Sequence, residues 1–328
     1  MKPKIAFVTG GFSGEAEISY KSAITFEKNI DKEIFDLYKI DITINGWFYE
    51  LQNGDKIEVN KNDFSIFVEN KTITFDAVLI GIHGTPGEDG KLQGYFDMLH
   101  IPYTSCGCAT SALTFNKRYT VAIAAASGIK VSNSVLLFKN NFQSPDERVN
   151  NLKFPVFVKP NNGGSSIGMS KVNSPSEELG KAIEKAFKED DQVLVEEFIE
   201  GREFTIGVFQ SKGEIIALPI TEVITQNEFF DYEAKYLGAS SEITPAKIDG
   251  NVAQKIRNEA INAYRIFNCK GIIRIDFIYN EKEEQPYMLE INTVPGQSEA
   301  SVVPQQVKTM GWTLKKFYTA LLEECLHN

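Results

Sequence analysis

Two runs of the chain are apolar almost without interruption, and two others alternate apolar with polar residues. The continuous runs, 4–9 and 75–82, read as strands buried on both faces, as inside a parallel sheet. Each opens into a glycine-crowded loop: GGFSGE at 10–15, then GIHGTPGEDG at 81–90. A helix is predicted from about Glu17, so strand, glycine turn and helix form the start of a βαβ unit. The pattern G-x-G-x-x-G is absent, and a dinucleotide site is unsupported. Ligands of open α/β sheets bind at the carboxyl ends of the strands, where Glu15 and His83 fall.

The alternating runs, 272–279 and 287–292, flank a polar tip closed by Pro286 and predict a β-hairpin. With a period of two, Ile273, Ile275, Phe277 and Tyr279 share one face, joined by Tyr287, Leu289 and Ile291. Arg274, Asp276, Glu290 and Asn292 then share the other. Two readings stand: a solvated polar face, or a wall of hard oxygen donors of the kind that holds Mg²⁺ beside phosphates.

Between these runs, PVFVK at 155–159 ends in Lys159 and leads into NNGGSSIG at 161–168. Glycines there let backbone N–H groups approach phosphate oxygens, and Ser165 and Ser166 add hydroxyl donors. The lysine precedes the glycines, and no Walker A loop is present. Ser174-Pro175-Ser176-Glu177 reads as a capping box opening a helix to Lys188. Other helices are predicted at 91–99, 108–115, 118–127 and 251–267, and in the C-terminal segment ending at Leu326. Residues 221–247 look long and irregular, the habit of a functional loop, and carry Tyr232, Lys235 and Tyr236. Together these parts suggest a nucleotide site. Lys159 and the Gly/Ser loop would hold phosphates, and Asp276, Glu290 and Asn292 a metal. Glu203 would meet ribose hydroxyls, and the backbone of 197–199 an adenine edge.

Composition narrows the field. The chain has 328 residues, ample for two or three domains, and a net charge of −10 that argues against nucleic acid or an anionic membrane as partner. Cys106-x-Cys108 lacks a second pair, and His83, His100 and His327 lack ligand spacing, so reduced thiols and a cytoplasmic setting fit best. The N-terminus reads as a strand rather than a signal peptide, and no segment has transmembrane length.

At this point the chain resembles the D-alanine–D-alanine ligases of the ATP-grasp superfamily. The resemblance rests on GGFSGEAEIS, HGTPGEDG, KPNNGGSSIG, VEEFIEGREF, EFFDYEAKY, RIDF and LEINTVPG, in that order along nearly the whole chain. It implies three α/β domains (1–104, 105–195 and 196–328, with a lid at 221–247) and ATP held between the last two. It implies two-step ligation for peptidoglycan precursors. The first D-alanine carboxylate takes the γ-phosphoryl group of ATP, and the second D-alanine amine attacks the acyl phosphate.

By resemblance, Glu15 pairs with the first ammonium, beside His83. Glu15, Ser165 and Tyr236 form a triad over the substrates. Lys117, Lys159 and Lys235 reach phosphates, with Ser165 and Ser166 in the covering loop. Glu196, Glu197, Ile199 and Glu203 lie at the adenine–ribose end. Asp276, Glu290 and Asn292 hold two Mg²⁺, or Mn²⁺. Arg274 and the Gly296 N–H stabilise the tetrahedral oxyanion, and Ser301 and Val302 lie beside the second carboxylate. A homodimer is implied. Phe230 and Gln297 depart from the common tyrosine and methionine, the second near the second-substrate wall. The alternatives are a sister ligase using D-serine or D-lactate, or an ATP-binding module without catalysis.

Overall fold

The computed structural model describes residues 1–51, 53–141, 147–163, 167–225 and 240–327. Three principal sheets follow one another along the chain. In the first, Lys4–Gly10 lies between Asp36–Thr43 and Ala77–Ile80, parallel to both. Gly46–Glu50 and Lys56–Glu58 extend it antiparallel from Asp36–Thr43. Ile5, Ala6, Phe7 and Val8 are all fully buried, the reason the run shows no alternation. On one face Phe7 stacks on Phe26 of helix Ala16–Asn29, and Phe26 on Tyr318 of helix Leu314–His327. The C-terminal helix thus shares a core with the N-terminal sheet.

The second sheet is antiparallel, in the order Ser170–Val172, Val156–Pro160, Gln192–Glu197, Ser134–Phe138. Helix Glu177–Ala186 covers it with Leu179 and Ile183, and Phe187 follows just beyond. The expected capping box does not form. The N-cap is Ser176, not Ser174, and its side chain caps no N–H. Pro175 therefore precedes the helix instead of occupying its first turn.

In the third sheet the order is Ser240–Ile243, Thr221–Thr225, Arg202–Ser211, Ile272–Asn280, Gln285–Asn292, with Glu214–Ala217 beside Arg202–Ser211. The segment 221–247 is less irregular than expected, because both of its described flanks are strands that pair with each other. Arg202 and Glu203 are the first two residues of their strand. Helix Gly250–Ile266 packs Ile256, Ala260, Ala263 and Tyr264 onto this sheet, and Cys106, Ala124 and Ile129 join the same core. Among the described residues no helix is long and apolar enough to cross a membrane.

Gly271, just before the hairpin, packs against the backbone of Thr104 in the connector after the first sheet. Its φ is +61°, and a Cβ there would collide with the Thr104 carbonyl oxygen. Gly271→Ala is expected to cost roughly 3 kcal/mol, from the left-handed backbone plus the overlap. Denaturant midpoints of the two proteins check this, and an unchanged midpoint would contradict it.

Candidate active site

The hairpin is the floor of a cleft. Arg274 lies opposite Asn292, and Asp276 opposite Glu290, so all four side chains emerge on one face. Ile273, Ile275, Phe277 and Tyr279 are buried in the core on the other, as the alternation predicts. The second strand departs from expectation. Pairing slips between Asp276 and Phe277, so Phe277 faces Met288 and Leu289 is the extra residue of a bulge. Met288, 2% exposed, takes the core position expected of Leu289, and Leu289 turns to the cleft.

The four polar ends are interlocked. Arg274 forks onto Asp276 through Nε (2.9 Å) and a terminal nitrogen (2.8 Å), and that nitrogen lies 3.9 Å from Glu290 Oε1. Thr205 Oγ1 donates to Asp276 Oδ1 at 2.5 Å from the neighbouring strand, where it sits opposite Asp276 in register. Asn292 Nδ2 donates to Asp276 Oδ2 at 3.3 Å and approaches Glu290 Oε1 at 3.5 Å. Burial works against the Arg274 charge, but Asp276, then Glu290 and Glu242, outweigh it and hold the guanidinium above its ordinary pKa. Its positive charge is therefore permanent.

The cleft above the hairpin has a volume of about 450 Å³. It gathers many of the expected residues: Glu15, His83, Lys117, Glu203, Arg274, Asp276, Glu290, Asn292, Gly296, Ser301 and Val302 all line it. They come from all three parts of the chain. Glu15 sits at the N-cap of Ala16–Asn29, and Lys117 opens helix Lys117–Ala126. Ser301 sits at the N-cap position of Val302–Thr309.

At one end lie two carboxylates, Glu15 and Glu88. Glu88 accepts from the N–H groups of Gly84 (2.7 Å) and Val294 (3.1 Å). Burial, with the neighbouring Glu15 charge, pushes its carboxyl above the usual range, against the pull of those two N–H groups. Such a corner attracts a cation. His83 does not act as a base beside it. Its Nδ1 lies 2.7 Å from the Val294 carbonyl, an acceptor only, so Nδ1 carries the proton; Nε2 then accepts from Ser22 Oγ at 2.9 Å. Burial lowers its pKa to about 4, with the Val294 bond opposing and the Arg274 charge assisting.

A pH dependence follows. Between about pH 6.5 and 4 the unfolded chain protonates this histidine and the folded chain does not, so acid destabilises the fold. The window is worth roughly 3 kcal/mol. Urea midpoints measured at pH 7 and at pH 4–5 are expected to differ less in His83→Gln than in wild type. An equal acid shift in both would contradict the assignment.

Toward the second sheet, Lys117 Nζ donates to the Gly163 carbonyl at 2.6 Å, tying a helix N-terminus to the start of the Gly/Ser loop. Lys159 pairs with Glu196 at 2.5 Å across adjacent strands, both side chains largely buried. Glu197 is held by the Lys153 N–H (2.8 Å) and Asn133 Nδ2 (3.0 Å). Its own N–H donates to the Asn133 carbonyl at 3.0 Å. Among the described residues, Lys159, Glu196, Glu197 and half-buried Ile199 are not part of the cleft lining. Ser165, Ser166, Phe230, Tyr232, Lys235 and Tyr236 lie outside the described residues.

The donor set suits a hard divalent cation. The Asn292 amide lies 3.3 Å from the Asp276 carboxylate and 3.5 Å from that of Glu290, and turning it over would present its oxygen in place of its nitrogen. Gln297, expected near the wall of the second substrate, does not line the cleft. It is 2% exposed, and its side chain turns inward to the Pro295 carbonyl and the Tyr318 hydroxyl.

Sequence reasoning missed Glu88, Thr205 and Glu242 in the lining. Glu88 carried a signal, a charge inside the glycine-crowded loop at the binding edge. Thr205 and Glu242 carried none, since only strand pairing brings them to the cleft.

The chain matches the family model described as D-ala D-ala ligase N-terminus over residues 4–106, and the one described as D-ala D-ala ligase C-terminus over 123–323. It is 44% identical to the D-alanine--D-alanine ligase of Parabacteroides distasonis, covering 100% of this chain and 99% of that one. It is also 44% identical to the ligase of that name from Flavobacterium johnsoniae, covering 97% and 98%. Among solved structures, VanG D-Ala:D-Ser ligase from Enterococcus faecalis is 31% identical, with a TM-score of 0.89 over 98% of this chain and 99% of that one. D-alanyl-alanine synthetase A from Vibrio cholerae is 28% identical, with a TM-score of 0.88 over 100% and 99%.

Proposed function

Since the chain belongs to the D-alanine–D-alanine ligase family, we propose that its cleft holds two D-alanine molecules and the phosphate end of ATP. The fold is the ATP-grasp fold, and the chain is an ATP-dependent enzyme that joins two D-alanines into D-alanyl-D-alanine for peptidoglycan precursors. The observation that carries the site assignment is the meeting of Glu15, Arg274, Asp276, Glu290, Asn292 and Gly296 in one cleft.

A carboxylate does not acylate an amine unaided, because oxide is too poor a leaving group. The first D-alanine carboxylate therefore attacks the γ-phosphate, ADP departs, and an acyl phosphate remains. The amine of the second D-alanine attacks its carbonyl, gives up a proton, and phosphate leaves. In this reading Glu15 pairs with the first ammonium, and the buried Glu88 beside it, whose carboxyl is pushed toward its neutral form, holds the Gly84 and Val294 N–H groups. Arg274 and the Gly296 N–H face the oxygen that gains charge, where fixed donors are worth a few kcal/mol each. Lys117 and Lys159 serve the phosphates, Glu196, Glu197, Ile199 and Glu203 the nucleoside, and Ser301 and Val302 the second carboxylate. The triad of Glu15 with Ser165 and Tyr236, and the phosphate contacts of Ser166 and Lys235, belong to the same proposal. Asp276, Glu290 and Asn292 would hold Mg²⁺ or Mn²⁺, which when bound would neutralise phosphate charge.

Three working units, 1–104, 105–195 and 196–328, are part of this reading, supported by the three sheets. So is a cytoplasmic homodimer formed through the N-terminal unit, whose first helix exposes Tyr20 and Ile24.

The test is product analysis with D-alanine in equimolar competition with D-serine or D-lactate. D-Alanyl-D-alanine is expected to dominate, because the inward-turned Gln297 leaves the second-substrate wall without a new polar group. A mixed product in excess would make the chain a sister ligase instead.

A further inference from the structure

Resting on that reading, we infer that Ser22 and Gln297 are positioning residues, which through His83 hold the Val294–Gln297 turn so that the Gly296 N–H meets the reacting carbonyl oxygen. The geometry is a closed circuit of hydrogen bonds. The Val294 carbonyl accepts from His83 Nδ1 at 2.7 Å. His83 Nε2 lies 2.9 Å from Ser22 Oγ, and the Gln297 N–H donates to that same oxygen at 3.1 Å.

Every direction in this circuit is fixed. A carbonyl only accepts, so His83 Nδ1 donates, and its Nε2 has only a lone pair to offer. Ser22 must spend its one proton on Nε2, leaving a lone pair for the Gln297 N–H. The two ends of a four-residue turn, the carbonyl of 294 and the N–H of 297, are thereby tied to the N-terminal unit. Gly296 lies between them and lines the cleft.

Further bonds stiffen the same turn. Glu88 takes the Val294 N–H at 3.1 Å. Gln297 Nε2 donates to the Pro295 carbonyl at 3.1 Å, and the Tyr318 hydroxyl donates to Gln297 Oε1 at 3.2 Å. Ser22 and Tyr318 are fully buried and Gln297 is 2% exposed, so water does not replace these bonds cheaply. None of the three side chains lines the cleft; they act through the backbone that does. The glutamine that departs from the common methionine thus has a function here. It exchanges apolar packing for two hydrogen bonds that brace the donor loop.

The Gly296 N–H is needed in the second step, when the tetrahedral oxyanion forms. Loosening it should slow ligation more than phosphoryl transfer to the first D-alanine. The test compares dipeptide formation with positional isotope exchange of ATP labelled in its β–γ bridging oxygen, with D-alanine present. Exchange reports reversible acyl-phosphate formation, because the released ADP rotates its β-phosphate before re-forming ATP.

In Ser22→Ala the ratio of exchange to ligation is expected to rise tenfold or more, with the KM for ATP unchanged. Gln297→Met, which keeps the buried volume, is expected to shift the ratio the same way by about threefold, and it carries the test alone if Ser22→Ala does not fold. Exchange and ligation falling together, or an unchanged ratio in a folded variant, would overturn the inference. Failure of the parent reading looks different, since wild type itself would then show no D-alanine-dependent exchange.

Discussion

Glu290→Gln is expected to cut dipeptide formation about a thousandfold, roughly 4 kcal/mol of barrier, while leaving the fold intact. The substitution keeps the shape of the side chain and removes one negative charge. Glu290 stands opposite Asp276 on the hairpin, within 3.9 Å of Arg274 and 3.5 Å of Asn292. Its side chain is 35% exposed, so the neutral amide loses little to burial and the hairpin keeps its core of Ile273, Ile275, Phe277 and Met288. What goes is half of the hairpin's carboxylate charge, on which a divalent ion held there would depend. Steady-state rates at saturating D-alanine and ATP, taken across a Mg²⁺ titration, check this alongside thermal unfolding. A rate near wild type at saturating Mg²⁺ would remove Glu290 from the metal wall.

Arg274→Lys is expected to lower kcat by a factor on the order of 10²–10³, the second largest effect. Lysine keeps the charge but cannot reproduce the fork onto Asp276, where two parallel bonds of 2.9 and 2.8 Å fix the guanidinium plane. An ammonium held by one bond points its other protons elsewhere, and the oxyanion loses a directed donor. If the role belongs to the transition state, kcat and kcat/KM fall together and the KM for ATP moves little. A raised KM for ATP with kcat unchanged would assign Arg274 to nucleotide binding instead.

How far the chain discloses this site depends on the range of each interaction. The hairpin wall was legible because a period of two in 272–279 and 287–292 already sorts Arg274, Asp276, Glu290 and Asn292 onto one face. The bulge at Leu289 was not. One extra residue changes which side chain is buried without changing composition, and only the partner strand reveals it. The parallel sheet was legible from its unbroken apolar runs, whereas the Ser174 cap failed because a favourable local sequence does not fix where the first turn begins.

Thr205 on Asp276 and Ser22 on His83 are contacts between residues 71 and 61 positions apart. Nothing near Thr205 or Ser22 in the sequence marks either partner. Lys159 illustrates a different gap. Its place at a strand end beside the Gly/Ser loop was readable, but its ion pair with Glu196 arises from strand register and engages the ammonium that the phosphates would use. The burial of Gln297 was not legible, because a buried side chain and a cleft-lining one look alike in sequence.

The central claim, ATP-driven joining of two D-alanines in this cleft, is tested most directly by phosphate release from ATP measured together with dipeptide. D-Alanine-dependent release is expected, one phosphate for each D-alanyl-D-alanine formed, and none above background with L-alanine. ATP binding without D-alanine-dependent phosphate release, or equal release with L-alanine, would contradict it.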